Sequence, residues 1–156
     1  MDRPTFYFKG NPVRAAGVLL WTHAHGRTLR LFNKYNGKYE DMGGKTDARD
    51  ACPMDTAVRE ACEETNCHIF SPRHDFHQCA DMLHNHIVDS PDVRYNHRSK
   101  YLLYRVRVHP SMLSMDMRRF GRAETTEWGV LEHYFQWRRQ LPYPNQLHPR
   151  LQGLEL

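Results

Sequence analysis

The chain has 156 residues and a mass of 18.5 kDa, the size of one domain with a sizeable core. Apolar residues make up 40% and charged residues 26%, which excludes a disordered or fibrous chain. The longest early apolar run, residues 15–21, is far too short to span a bilayer, and the first nine residues lack the apolar core of a signal peptide. A cytoplasmic location, with a nuclear one also open, is expected over secretion or membrane insertion. The four cysteines, Cys52, Cys62, Cys67 and Cys79, contain no CxxC pair and read as reduced thiols. A zinc site drawn from Cys67, His68, His74, His77 and Cys79 would match no common finger spacing.

Net charge is +4, and 17 of the 22 basic residues are arginine, whose forked guanidinium suits phosphate. The plain alternative is a solvated basic surface. The distribution says more than the sum. Residues 51–66 carry one basic group, Arg59, against Asp55, Glu60, Glu63 and Glu64, an acidic island in a basic chain.

In chain order, residues 5–8 form a short strand. Residues 13–22 form a nearly all-apolar strand buried on both faces. Residues 23–26 make a tight turn, and residues 28–32 alternate as the return strand. Asn36-Gly37 is a second turn signal. A short strand over 39–42 runs into Gly43-Gly44. Pro53 suits the first turn of a helix that extends to about Thr65, with Asn66 where a left-handed terminal residue is wanted. Residues 67–70 restart an extended segment, 76–88 are His-rich and include a strand, and 90–99 are loop. Residues 100–109 alternate cleanly, with Leu102, Tyr104, Val106 and Val108 on one face. A short helix over 111–120, a strand over 127–131, a helix over 134–141 and a last turn within 147–154 complete the chain. Mixed strands with a central helix and a late helix indicate an α/β sandwich, in a single domain over residues 1–156.

Residues three and four apart on a helix share a face, so Glu60, Glu63 and Glu64 converge on one stripe. Like charges at that spacing repel, and a hard divalent cation with oxygen ligands offsets the repulsion. Ala57 and Ala61 keep the adjacent face slim for docking on a sheet. A solvated acidic face is the plain alternative for the carboxylates taken alone.

The segment from Gly44 through Arg59-Glu60-Ala61-Cys62-Glu63-Glu64 to Cys67 resembles the box of the Nudix hydrolases, G-x5-E-x7-R-E-U-x-E-E-x-G-U, with U aliphatic. The apolar strand at Ala15 to Leu20 and the Glu127-Trp128-Gly129-Val130-Leu131 segment resemble strands of the same family. The spelling of the box is also similar to Nudix proteins of some large DNA viruses and protists. Three departures stand out. Gly44 to Arg59 is one residue longer than the pattern. Asp50 or Ala51 replaces the early Glu that braces the box Arg. Asn66 replaces the last Gly.

The resemblance implies a Nudix-type α/β/α sandwich with a mixed sheet. It also implies an enzyme: an Mg²⁺- or Mn²⁺-dependent pyrophosphohydrolase acting on a nucleoside diphosphate linked to another moiety. Glu60, Glu63, Glu64 and the Gly43 carbonyl would hold the metal, which neutralises a diphosphate and lowers the pKa of a water. Arg59 would orient the carboxylates, with Asp50 standing in for the missing Glu. Lys45 and Gly44 would contact substrate, and Glu60 or Glu124 would act as general base. The implied partner is an anionic diphosphate compound or the 5′ end of an RNA. No membrane partner is implied, and a homodimer is left open. Trp21, Phe32, Tyr35, Tyr39 and Trp128 could stack a base, although core or rim positions suit each. His74, His77, His84, His86 and His97 read as surface or loop groups. The competing class is a catalytically weak Nudix-fold module that recognises RNA, nucleotide or protein, and broken box carboxylates would mark it.

Overall fold

In the computed structural model, residues 2–70, 75–121, 123–127 and 129–156 are described, with the backbone alone for 123–126 and 129–132. A hairpin of β1 (Phe6–Phe8) and β2 (Asn11–Val13) opens the chain. β3 (Ala15–Ala24) follows, then β4 (Arg27–Tyr35), β5 (Lys38–Glu40) and β6 (Met42–Lys45). Next come the helices α1 (Pro53–Glu64) and α2 (Phe76–Asp89), and the strands β7 (Val93–Asn96) and β8 (Tyr101–Arg107). β9 (Ala123–Thr126) and β10 (Gly129–Glu132) pair as a second small hairpin, and β11 (Tyr134–Arg138) closes the set.

The main sheet runs β11-β4-β3-β8-β7, with β5 beside β4 and β6 beside β3. Its β3–β8 pair is parallel and the other pairs are antiparallel, so the sheet is mixed. Alternation along β3 sends Ala16, Val18 and Leu20 to one face and Leu19 to the other. On the first face they meet Ala57, Val58 and Ala61 of α1 and Cys79, Leu83 and Ile87 of α2. On the second, Leu19, Phe32, Tyr101 and Leu103 pack against Leu147, Leu151 and Leu156. The α/β class and the mixed sheet between two covering layers are as expected. The second layer, however, is a C-terminal segment with 3-10 turns at Pro144–Gln146 and Pro149–Leu151, not an α-helix.

Five local expectations change. Residues 134–141 hold a strand, β11, because Tyr134, Phe135 and Trp137 favour a pleated surface and the edge of β4 is free to pair. Residues 76–88 lie on a helix, with Cys79, Leu83 and Ile87 at four-residue spacing and Asp75 as N-cap, its carboxylate accepting from the Gln78 N–H at 3.1 Å. Residues 90–99 contain β7, whose polar Arg94 and Asn96 disguise an edge strand on β8. Residues 67–70 turn instead of extending. Asn66 and Cys67 both adopt positive φ (52° and 62°), and the Cys67 N–H returns to the Cys62 carbonyl at 2.8 Å to close α1. The helix expected over 111–120 is a 3-10 turn, Pro110–Ser114.

Candidate active site

Two consecutive glycines position the site from opposite faces of β6. Gly43 lies opposite Gly17 of β3, and a Cβ at either would stand within 2.0 Å of the Tyr101 hydroxyl. That hydroxyl donates to Asp41 Oδ2 at 2.6 Å, and Arg150 Nε donates to Asp41 Oδ1 at 2.9 Å. A buried Tyr101–Asp41–Arg150 network therefore needs the bare backbone of Gly17 and Gly43. Gly44 faces the other way, and a Cβ there would lie 2.5 Å from the Glu60 carboxyl carbon. The missing side chain makes the cradle for that carboxylate.

The two glycines should respond differently to a methyl group. The three nearest atoms that a Gly44→Ala methyl meets all belong to the Glu60 carboxylate, the far end of a flexible side chain. The variant is expected to keep the melting temperature within a few degrees and to lose activity as that carboxylate is displaced. Gly43→Ala also meets the Gly17 Cα and the Ala16 carbonyl and is expected to destabilise the fold by about 1–3 kcal/mol. Thermal melts of both variants alongside turnover check this, and equal melting losses would refute the assignment of faces.

α1 supplies the carboxylates. Arg59 donates from Nε and Nη2 to the two Asp50 oxygens, each at 3.0 Å, and from Nη2 to the Lys45 carbonyl at 3.0 Å. Its Nη1 reaches Glu60 Oε1 at 3.1 Å and Glu63 Oε1 at 3.4 Å. Asp50 also accepts from the Thr56 hydroxyl and the Asp47 N–H, at 2.8 and 2.9 Å. Burial pushes the Asp50 carboxyl upward, but these donors outweigh it and hold the group below the usual carboxylate range. Asp50, not Ala51, therefore faces Arg59 across the longer loop.

Glu60, Glu63 and Glu64 line a cleft of about 420 Å³ together with Glu40, Lys38, Tyr35, His133 and Arg150. Glu64 Oε2 is buried with no hydrogen-bond partner among the described residues. Burial, with Glu40 and Glu60 adding to it, raises the Glu64 carboxyl well above its ordinary value against the pull of Arg150. Glu60 is raised by burial as well. Glu40 on β5 is pushed up to about 7 by burial, which Arg150 opposes and Asp41 reinforces. One oxygen each of Glu40 and Glu64 and a ring nitrogen of His133 lie within 4.8 Å of one another, close enough to share a cation. The orphaned buried Glu64 oxygen among several carboxylates fits a hard divalent ion, whereas the His133 nitrogen suits a softer transition ion.

The expected site residues thus divide. Glu60, Glu63 and Glu64 line one cleft, with Arg59 touching Glu60 and Glu63 and Gly44 beneath Glu60. Of the expected metal ligands, however, only Glu64 belongs, among the described residues, to the group within 4.8 Å, and Gly43, paired with Gly17, does not line the cleft. The Lys45 side chain is exposed at the end of β6, outside the residues lining the cleft. The Glu124 backbone pairs with Leu131 in the β9–β10 hairpin, and its side chain lies outside the described residues. Trp128 and His74 also lie outside them. Of the remaining stacking candidates, Tyr35 is at the cleft, its ring parallel to His133 at 4.2 Å between centroids. Phe32 is buried, Tyr39 is buried beneath Arg138, and Trp21 lies beside Arg105 and Arg107. His77, His84 and His97 are exposed, while His86 is half-buried and stacks on Phe70. Glu40, His133 and Arg150 escaped the sequence reading. They sit on a short strand, beside a strand read as helix, and in a C-terminal turn, with no local motif to mark them.

No family model matches the chain, and no curated protein matches it. Among solved structures, it is similar to the crystal structure of a C. elegans Ap4A hydrolase binary complex. The identity is 15%, the match covers 80% of this chain and 78% of that one, and the TM-score is 0.39. No helix among the described residues is long and apolar enough to cross a membrane.

Proposed function

We propose that the chain is a Nudix-type hydrolase that cleaves a phosphoanhydride bond in a nucleoside diphosphate linked to another moiety, with Mg²⁺ or Mn²⁺ as cofactor. The observation that carries this reading is the convergence of Glu60, Glu63 and Glu64 in one cleft, where the Glu64 Oε2 is buried without a partner. Glu60, Glu63 and Glu64 with the Gly43 carbonyl, joined on the cleft wall by Glu40 and His133, would hold the metal. Once bound, the ion neutralises phosphate charge and acidifies water.

The chain's own groups supply the rest. Arg59, itself fixed by Asp50, holds Glu60 and Glu63 in orientation. Lys38 and Arg150 on the cleft wall balance the nonbridging oxygens as charge develops on them. Glu60 and Glu124 are the candidate bases, while Glu40, raised to about 7 by burial, would give up its proton on joining the metal. The Tyr35–His133 stack offers a flat surface to an aromatic group on the substrate.

The test is a phosphate-release screen across nucleotides, dinucleoside polyphosphates, capped RNA and inositol pyrophosphates, with Mg²⁺, with Mn²⁺ and with excess chelator. Hydrolysis is expected to vanish in chelator and to return with either metal. Undiminished hydrolysis in chelator would sink the reading.

A further inference from the structure

Away from the cleft, at the opposite end of β4, the sheet presents a groove of about 590 Å³ lined by Arg27, Thr28, Arg30, Arg139 and Gln140. No carboxylate and no apolar side chain lines it. Strand register sets Arg107, Trp21, Arg30 and Arg138 side by side across β8, β3, β4 and β11. The guanidinium carbons of Arg105 and Arg107 stand 5.4 and 5.1 Å from the centroid of the Trp21 ring. Arg105 is partly neutralised by Asp92 at 2.8 Å, and Arg138 is turned onto Tyr39. Arg30 Nε donates to a Leu156 oxygen at 2.6 Å, which leaves Arg27, Arg107 and Arg139 with no carboxylate within ion-pair distance among the described residues. Arg27, Arg107 and Arg139 leave this end of the sheet with a local excess of positive charge, which suits a polyanion.

We propose that this groove binds the sugar–phosphate backbone of a single-stranded nucleic acid. Guanidinium forks, the Thr28 hydroxyl and the Gln140 amide are the donors that phosphate oxygens take, and they read no base. β11 is the edge strand of the sheet. It is flanked by His133 at the cleft and Arg139 at the groove, which lie about 20 Å apart at the usual strand rise. Tyr134, 62% exposed, stands at its cleft end. An exposed aromatic ring beside a cationic track is a surface on which a base stacks. An acidic polypeptide fits less well, because a protein partner is normally anchored by buried apolar or aromatic side chains and the groove lining offers none.

The site stands apart from the hydrolytic reading and is measured apart from it. A fluorescent 20-nucleotide oligouridylate with a 5′-hydroxyl carries no phosphoanhydride, and chelator removes metal chemistry. Anisotropy titration at low salt is expected to give micromolar binding that weakens linearly in log–log plots as salt rises. Arg27→Gln with Arg139→Gln, both at exposed positions, is expected to weaken binding about tenfold or more. It should also reduce the salt slope by about 1.4, two phosphate contacts at roughly 0.7 each for a single strand. Arg98→Gln with Arg118→Gln, an equal charge loss elsewhere, is expected to bind as wild type does. The proposal is overturned if wild type does not bind, if the two double variants behave alike, or if polyglutamate competes as well as unlabelled oligouridylate at equal charge.

Discussion

Glu63→Gln and Glu64→Gln are each expected to lower turnover by about 10²-fold or more, the scale of losing one electrostatic stabiliser in a preorganised site. Their effects on stability should part company. Glu63 is 28% exposed at its side chain and makes long contacts, to Arg59 at 3.4 and 3.5 Å and to the exposed Arg49 at 4.0 Å, so its replacement should leave the metal-free fold nearly unchanged. Glu64 keeps a buried oxygen with no partner among the described residues, and its carboxyl is raised by that burial. Between the unfolded value and the raised folded one, the folded state therefore holds a proton that the unfolded state has released. The associated stability is present below the unfolded pKa and is lost as pH rises toward the folded one. In chelator, Glu64→Gln should thus be more stable than wild type at neutral pH, with the gap closing as pH falls through about 4, the unfolded Glu value. Saturating Mg²⁺ should reverse the order, because only wild type gains from binding. Melting curves at several pH values, with and without Mg²⁺, together with turnover, test both halves. Near wild-type rates in both variants would refute the metal assignment.

What the sequence reveals follows the range of the forces involved. The stripe of Glu60, Glu63 and Glu64 depends only on helix periodicity, and Pro53 and Asn66 mark the helix ends locally. The Asn36-Gly37 turn is equally local, with both residues at positive φ, 50° and 77°. The other half of the cleft is assembled from afar. Arg150 reaches Asp41 across 109 positions, and Asn33 meets His133 across 100. A single sequence carries no sign of such pairings. The strand β11 was illegible for a related reason. Tyr134, Phe135 and Trp137 suit helix and strand patterns equally over so few residues, and pairing with Lys34 to Arg30 of β4 decides between them. Helix α2 was legible in principle. Asp75 and the spacing of Cys79, Leu83 and Ile87 are standard signals, but the intervening histidines masked them.

Arg59→Ala is expected to destabilise the fold by about 3–5 kcal/mol, because it strands a charge at Asp50, whose side chain is only 3% exposed. Asp50→Ala should be milder, near 1.5–3 kcal/mol, since Arg59 keeps Glu60, Glu63 and the Lys45 carbonyl. The double variant should lose less than the sum, because the two side chains form one unit through paired 3.0 Å hydrogen bonds. Both single variants should also weaken metal affinity: Arg59 ties the loop at Lys45 to the carboxylates of α1, and releasing either end lets Gly44 and Glu60 drift apart. The coupling has a definite pH window. Arg59, Thr56 and the Asp47 N–H hold the Asp50 carboxyl below its ordinary value despite its burial. Its contribution is therefore complete above the unfolded value of about 3.9 and disappears as pH falls through the lower folded value. A thermodynamic cycle at neutral pH should show coupling of about 0.5–3 kcal/mol, shrinking toward zero in acid. Asp50→Asn, which keeps the shape and removes the charge, should fall between wild type and Asp50→Ala. Additive losses at neutral pH would show that the two residues do not act together, and the extra loop residue between Gly44 and Arg59 would then have no bracing role.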